Sequence, residues 1–345
     1  MSERKRLPGA ISRLASTMAI ALTMLISLVG SALAQSTPTV AAEFPPFSTP
    51  AALPDAPAPD GGALKVVTST NIIGDLVRQI GGDRVEVTTI LPANADPHDY
   101  EPSPKDVATL EGAKVVFVHG LGLDAWTESI IDNSGGDFSV VTVTDGIETV
   151  NRHEGDDHHD EGDNHGHDVD PHVWFDPTKT AQMAANIAAG LSAADPDGTD
   201  AYNARLTAYQ QNLATLDQEI AARIALIPTD RRNIVTNHDA LGYFADRYGL
   251  NIVGTVIPGV SPGVEPSAQE VADLLQVMKE QNVSVIFAEN TVSPKLAQQL
   301  ASEAGISVVD TLYSDSLGDP GSGADTYIGL MQTDTQIIVT ALLGQ

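Results

Sequence analysis

Hydrophobic and polar positions follow one repeating pattern along most of the chain: a short β-branched run, then a stretch with helical periodicity. The β-branched runs span residues 64–70, 85–90, 115–120, 138–144, 233–238, 250–257, 283–289 and 306–312. The first helical stretch begins at Asn71, which we expect to cap it, and ends at Gly81 and Gly82. Strands that alternate with helices of this length predict βαβ units and parallel sheets. We therefore predict an α/β protein with four strands in each half.

The longest helical pattern lies between these two halves. Apolar residues recur there every three or four positions, at Tyr202, Leu206, Tyr209, Leu213, Leu216, Ile220 and Ile224. This spacing predicts one amphipathic helix over residues 199–227, about 40 Å long at 1.5 Å per residue. Such a length favours a strut that spans both halves, and the alternative is an ordinary core helix. We predict lobes at 63–198 and 228–345, joined by this linking helix.

The N-terminal 62 residues do not follow the strand and helix pattern. Residues 1–34 have the features of a signal peptide: a basic start, a short apolar run, and Ala32 and Ala34 at a cleavage site. Residues 35–62 are rich in Pro and Ala without an apolar period, which predicts an extended tether. We therefore expect the folded part to lie outside the cytoplasm, in the periplasm or at the cell surface.

The composition limits the classes of partner and of chemistry. The chain has 46 acidic and 18 basic residues, a formal net charge of -28, and no cysteine. An acidic surface repels nucleic acid and attracts cations, so nucleic-acid partners are not expected. The absence of cysteine excludes disulfides, cysteine-ligated metal, a thiol nucleophile and a lipid-modified cysteine. Any bound metal ion must be held by nitrogen and oxygen.

A stretch rich in histidine and acid, residues 151–169, follows the fourth strand run. Its histidines are His153, His158, His159, His165 and His167. It has no apolar face to bury, so we predict a loop, and its imidazoles and carboxylates are typical ligands of divalent metals. We expect auxiliary, low-affinity metal binding there, and the alternatives are a solvated acidic linker or a passive insertion.

Further metal-competent residues lie near the predicted carboxyl ends of strands, where open parallel sheets bind ligands. They are His98, His172, His238 and Asp310, two from each half. A cleft between the lobes could therefore gather all four. Glu289 also closes a strand run and competes with Asp310 as the oxygen donor. His119 ends a strand run as well, but we expect it to be an ordinary satisfied or exposed histidine.

Four strings give these residues a context: PHDYEPSP at 97–104, DPHVWFDP at 170–177, TNHDALGYFADRYG at 236–249 and SVVDTLYSD at 307–315. They closely resemble the metal-binding substrate-binding proteins of zinc and manganese ABC transporters. The resemblance extends from Leu64 to the C-terminus. It implies a fold of two (βα)4 lobes with parallel sheets, joined by one long backbone helix, with the metal site in the interdomain cleft. It also implies that the chain is not an enzyme.

The resemblance implies a metal site formed by His98, His172, His238 and Asp310. Manganese-type members of the family have Glu where His238 stands, so three imidazoles and one carboxylate favour Zn²⁺, with Mn²⁺ as the alternative. Water or an acid from the loop could replace Asp310 as the fourth ligand. The implied partner is an ABC permease in the membrane, and we expect the chain to be a monomer.

Two functions from other classes are the alternatives to a receptor. A secreted zinc hydrolase would need an open coordination position and a general base, and the sequence has no HExxH motif. A metal-dependent surface adhesin would share the export signal, but no other feature of the sequence favours it. The predicted function is therefore an extracytoplasmic receptor that captures Zn²⁺ and delivers it to a permease.

Overall fold

The strands form two parallel sheets in the computed structural model, which describes residues 44–150, 169–262 and 265–344. In chain order they are β1 (Leu64–Thr68), β2 (Val85–Thr89), β3 (Val115–Val118), β4 (Ser139–Thr142), β5 (Asn233–Thr236), β6 (Asn251–Thr255), β7 (Val285–Glu289) and β8 (Ser307–Leu312). The strand orders are β2-β1-β3-β4 and β6-β5-β7-β8, and all pairings between these strands are parallel. The predicted α/β class with two parallel sheets is confirmed. The predicted signal segment 1–34 and the loop histidines lie outside the described residues.

Helices follow or precede each strand as the periodicity predicted. They are α1 (Asn71–Gly81), α2 (Pro104–Thr109), α3 (Trp126–Ser134), α4 (Pro177–Ala194), α5 (Thr199–Ile224), α6 (Gly242–Tyr248), α7 (Ala268–Glu280), α8 (Lys295–Ala304) and α9 (Tyr327–Leu343). Within the described ranges, no helix has both the length and the hydrophobicity that crossing a bilayer requires.

The start of α1 differs from the prediction by one residue. Thr70 is the N-cap, and its hydroxyl accepts a hydrogen bond from the backbone N–H of Ile73. Threonine in extended conformation is a favourable cap because its oxygen satisfies an N–H that has no partner within the helix. The side chain of Asn71 therefore makes other contacts, described below.

The linking helix α5 occupies most of the predicted range and packs against helices from both lobes. It contacts α1 and α4 from the first lobe and α6 and α9 from the second. Most of the predicted apolar stripe is buried, from Tyr202 at one end to Ile224 at the other. Burying a large apolar side chain stabilises the fold by roughly 1.5–3 kcal/mol. The interpretation of α5 as a strut therefore agrees with its packing.

Residues 45–57, which we call the N-terminal strap, are part of the folded structure, contrary to the tether prediction. The side-chain amide of Asn212 in α5 forms hydrogen bonds with both backbone polar groups of Ala51 in the strap. Its Oδ1 accepts from the backbone N–H of Ala51 at 2.9 Å, and its Nδ2 donates to the carbonyl of Ala51 at 2.9 Å. The compact unit of the chain accordingly begins at Pro45. The prediction of a free spacer is wrong for this segment.

Two more residues of α5, each seven positions from Asn212, form hydrogen bonds with the strap. Arg205 donates to the carbonyl of Pro54 at 2.5 Å, one heptad before Asn212, and Glu219 accepts from the hydroxyl of Ser48 at 2.6 Å, one heptad after it. Three extended residues advance about 9 Å and seven helical residues about 10.5 Å, so the two periods nearly coincide. Composition alone could not reveal this register, because it depends on polar residues of α5 more than 150 positions away.

Replacing Asn212 by Ala is expected to lower the free energy of unfolding by about 1–2 kcal/mol, because two largely buried hydrogen bonds are lost. Urea unfolding followed by circular dichroism measures this change. Gln211→Ala is the matched control, since Gln211 is exposed on the same helix and such substitutions usually stay within about 0.5 kcal/mol. Equal stabilities of the two variants would contradict a stabilising role for the strap.

Candidate metal centre

Four side chains from four separate loops converge on one point. They are His98, His172, His238 and Asp315, and one ligand atom from each lies within 4.8 Å of the others. They follow β2, β4, β5 and β8, respectively, beyond the carboxyl ends of these strands. Parallel strands direct their carboxyl ends to one edge of a sheet, where the connecting loops can meet. The structure thus brings the three predicted histidines together with an aspartate that the sequence analysis did not select.

Among the side chains that the structure describes, the carboxylate in this cluster belongs to Asp315, whereas the sequence analysis predicted Asp310. Asp310 lies inside β8, two residues before its last residue Leu312, and its side chain is outside the described part of the structure. Asp315 follows the strand by three residues, where the chain has left the sheet edge. Both acids belong to the string SVVDTLYSD, and the resemblance implied Asp310 as the ligand, whereas the carboxylate found in the cluster is that of Asp315. The position of the end of β8 favours the later residue.

The tripeptide Asp-Pro-His occurs twice, at 96–98 and 170–172, and builds the same turn each time. Oδ1 of Asp96 accepts from the backbone N–H of His98 at 2.8 Å, and Oδ1 of Asp170 accepts from that of His172 at 2.9 Å. An aspartate that bonds the N–H two residues later forms an Asx turn, and the intervening proline restricts the backbone further. This repeated tripeptide is a local sequence signal for the backbone turn that positions two of the three histidines.

His172 is fully buried and its ring is oriented by Asp170. Nδ1 lies 2.8 Å from Oδ1 of Asp170, and the ring of Trp174 packs edge-on at 5.2 Å. With the Nδ1 proton donated to Asp170, the lone pair of Nε2 is available to a metal ion. Burial opposes protonation of His172, but the bond to Asp170 and the carboxylate of Asp315 outweigh it and raise its pKa to about 10.

His238 has an equivalent partner in Glu289, the last residue of β7. Nδ1 lies 2.5 Å from Oε2 of Glu289, and Oε1 accepts from the backbone N–H of His238 at 3.2 Å. Burial opposes protonation, but Glu289 and then Asp315 outweigh it and raise the pKa of His238. Glu289, which competed with Asp310 as an oxygen donor in the sequence analysis, thus lies behind a ligand candidate and orients it.

His98 is the least buried member of the cluster and has a different electrostatic environment. Burial lowers its pKa to about 3, and the carboxylate of Asp315 opposes this shift only in part. Trp126 supports the loop by donating from Nε1 to the carbonyl of Pro97 at 2.8 Å. A ring that stays neutral over the physiological pH range can bind a metal ion without first losing a proton.

Asp315 is fully buried and oriented by hydroxyl groups. The Ser314 hydroxyl donates to its Oδ2 at 3.0 Å, and the Thr291 hydroxyl lies 3.2 Å from the same atom. Burial raises the pKa of Asp315, but His238 and then His172 outweigh burial and hold the pKa well below its usual range. Asp315 is therefore an anionic ligand candidate throughout the physiological pH range.

The atoms that face the centre of the cluster fit a divalent cation. Within the described residues, the Nε2 atoms of His98, His172 and His238 and Oδ1 of Asp315 are buried without an aligned hydrogen-bond partner. The imidazole Nε2 atoms of His172 and His238 lie 3.3 and 3.5 Å from oxygens of Asp315. In a tetrahedral zinc site with bonds of about 2.0–2.1 Å, neighbouring ligand atoms are about 3.3 Å apart. The spacing therefore suits an ion at the centre.

Among the described residues, one further histidine, His119, is not part of this cluster. His119 is buried, and its Nε2 lies 2.8 Å from the carbonyl of Pro171, so it is satisfied as expected. Its backbone N–H donates to Asp124 at 2.6 Å. The auxiliary histidines His153, His158, His159, His165 and His167 fall outside the described residues.

Comparisons with known proteins agree with this geometry. A family model described as zinc-uptake complex component A, periplasmic, matches residues 66–341. The manganese-binding lipoprotein MntA of Halalkalibacterium halodurans is 33% identical over 283 residues, which are 82% of this chain and 90% of that protein. The manganese ABC transporter substrate-binding lipoprotein PsaA of Streptococcus pneumoniae is 30% identical over 81% of this chain and 89% of its own length.

Solved structures match the same region. The periplasmic zinc-binding protein TroA of Treponema pallidum superposes with a TM-score of 0.73 at 28% identity, covering 81% of this chain and 99% of that one. A manganese-bound periplasmic metal-binding protein from Candidatus Liberibacter asiaticus superposes with a TM-score of 0.70 at 28% identity, with the same coverage of both chains. The similar proteins thus include both zinc-binding and manganese-binding members.

Proposed function

The chain belongs to the family of periplasmic zinc-uptake complex component A proteins, and on this premise we propose that it is a receptor that captures Zn²⁺ and delivers it to an ABC permease. Membership makes it a substrate-binding component of metal uptake that acts outside the cytoplasm, and not an enzyme. The observation that carries the proposal is the convergence of three buried imidazole nitrogens and one carboxylate oxygen. We assign His98, His172, His238 and Asp315 as the ligands of the transported ion.

Zinc is the proposed cargo because of the donor set. Three neutral nitrogens and one oxygen are a common ligand set for four-coordinate zinc, whereas manganese prefers more oxygen ligands and a higher coordination number. The carboxylates behind His172 and His238 support this assignment, because such partners orient the rings and increase their basicity. Binding would displace protons from these two rings, so zinc affinity should fall as the pH falls.

Manganese is the second candidate because of the relatives. One similar protein is named a manganese-binding lipoprotein and another a manganese ABC transporter substrate-binding lipoprotein, and their matches span more than four-fifths of this chain. Those names describe the relatives, and the third imidazole, His238, is the feature of this chain that favours zinc over manganese.

Metal analysis of the purified protein tests the proposal. We expect a single high-affinity site that binds zinc at least about tenfold more tightly than manganese, measured by competition calorimetry and by elemental analysis. A stronger affinity for manganese would support the second candidate, and the absence of any high-affinity site would contradict the receptor function.

The loop at 151–169 is proposed to add low-affinity zinc capture near this site. A variant that lacks Arg152–His167 is expected to lose the weak binding events in calorimetry and to keep the high-affinity one. Loss of the high-affinity site with the weak events retained would contradict this assignment.

A further inference from the structure

Ser316, next to the proposed ligand Asp315, makes contacts with the opposite lobe. Its side chain is nearly inaccessible, with 1% relative exposure. Its Oγ accepts from Nδ2 of Asn71 at 2.8 Å and from the backbone N–H of Asn94 at 2.9 Å. Asn71 begins α1, and Asn94 lies in the loop after β2, so both donors belong to the first lobe. One hydroxyl group thus links the Asp315 loop to two segments of the other lobe.

Asn71 holds this loop with both ends of its amide. Its Oδ1 accepts from the backbone N–H of Leu317 at 3.0 Å, in addition to the bond from its Nδ2 to Ser316. The side chain can make these contacts because Thr70, and not Asn71, caps α1. Such two-point contact fixes position as well as distance, as bidentate pairs do elsewhere.

Asn94 extends the contacts to the loop that carries His98. Its backbone has a φ of 58°, in the left-handed region that asparagine tolerates better than most residues. Nδ2 of Asn290, which follows β7, donates to Oδ1 of Asn94 at 2.9 Å and to the carbonyl of Ser316 at 3.3 Å. The segments with His98 and Asp315 are thus joined to each other by neutral polar groups.

We propose that Asn71, Asn94, Asn290 and Ser316 form an interlobe latch that positions Asp315 and sets the rate at which the ion is released. This inference rests on the proposed function of the same site. Because α5 packs against helices of both lobes, release by movement of the Asp315 loop requires less rearrangement than separation of the lobes. The latch consists of neutral hydrogen bonds, and both Asn94 and part of Asn290 are accessible, so water can replace these bonds.

The ligands differ in how firmly they are held. Nδ1 of His172 is hydrogen-bonded to Asp170 and the backbone N–H of His238 to Glu289, and hydrogen bonds to a carboxylate are stronger than those between neutral groups. The neutral hydrogen bonds of the latch are therefore weaker than the contacts that hold His172 and His238. Opening it would move Asp315 away while the two buried imidazoles remain in place.

Stopped-flow mixing of the zinc-loaded protein with an excess of a zinc chelator tests the latch. Ser316→Ala and Asn71→Ala are each expected to accelerate zinc release about fivefold, with little change in the association rate. Asn94→Gly is the third variant, because glycine keeps the left-handed backbone and removes only the side chain. If Ser316 acts through Asn71, the double variant should release zinc more slowly than the product of the two single effects predicts.

Asn251→Ala is the matched control, since it removes another exposed Asn–Asn bond, 2.8 Å from Asn251 Nδ2 to Asn233 Oδ1, at the amino ends of β5 and β6. It should release zinc at the wild-type rate. Melting temperatures of the metal-free variants separate a positioning effect from a general loss of stability. Wild-type protein that fails to bind zinc would contradict the proposed function. Wild-type protein that binds zinc, with latch variants that release it at the wild-type rate, would overturn the latch alone.

Discussion

Replacing Asp315 by Asn is expected to weaken zinc binding by at least about 100-fold, because the change removes the anionic oxygen from a site otherwise built of neutral nitrogens. The carboxylate lies 3.3–3.5 Å from two imidazole nitrogens, and the hydroxyls of Ser314 and Thr291 already contact its Oδ2. An amide has nearly the same size, so the packing should survive while the charge is lost. Competition titration against a chelator of known affinity measures the effect.

Asp310→Asn is the matched comparison, since it makes the same chemical change at the position selected from sequence. It is expected to leave the zinc affinity within about threefold of the wild type. The opposite result, with Asp310→Asn impaired and Asp315→Asn unaffected, would restore the ligand set predicted from the sequence and refute the one proposed from the structure.

Replacing His238 by Glu is expected to lower the ratio of zinc to manganese affinity by at least about tenfold. The substitution gives two nitrogen and two oxygen donors, and oxygen ligands suit manganese better than zinc. The partner of His238 complicates the single variant, because Glu289 lies 2.5 Å from the histidine ring and would face the new carboxylate. Two adjacent carboxylates cannot readily both be ionised, and one would take up a proton.

The double variant His238→Glu and Glu289→Gln removes this repulsion. We expect it to bind manganese more tightly than the single variant does, while Glu289→Gln alone should weaken zinc binding about 10–100-fold through loss of ring orientation. Parallel titrations with both metals measure these ratios. An unchanged zinc preference in both His238 variants would show that the third imidazole does not select the metal.

Most of the fold could be predicted because its signals are local. Each predicted strand run contains an observed strand, and the apolar stripe from Tyr202 to Ile224 identified α5. Burial of one face imposes a period on the sequence, and that period can be measured without coordinates. The strap is the exception, since an extended Pro-rich segment has no period of its own.

The metal ligands could be predicted from the sequence only in part, because the residues at which the strands end could be predicted only approximately. His98, His172 and His238 were candidates because they lie near the ends of predicted strands, the family resemblance selected them as ligands, and all three lie in the cluster. The resemblance also implied Asp310, which belongs to the same segment as Asp315, and the sequence did not show the residue at which β8 ends.

Of the two carboxylates that orient the histidine ligands, one could be predicted from the sequence and the other could not. Asp170 could have been found, since an Asp-Pro-His tripeptide predicts the turn that connects it to His172. Glu289 could not, because it is 51 positions from His238 and reaches it only when β5 and β7 pair.

The sequence by itself determined two α/β halves, a long helix between them, three histidines at strand ends and an acidic, cysteine-free chain suited to cation binding. The tertiary structure decided which aspartate joins the histidines, which carboxylates orient them, and how the latch and the strap connect distant segments. The physical reason is that periodicity and turn chemistry act over a few residues. A metal site depends instead on distances of 3–5 Å between side chains that the pairing of strands and the packing of α5 bring together.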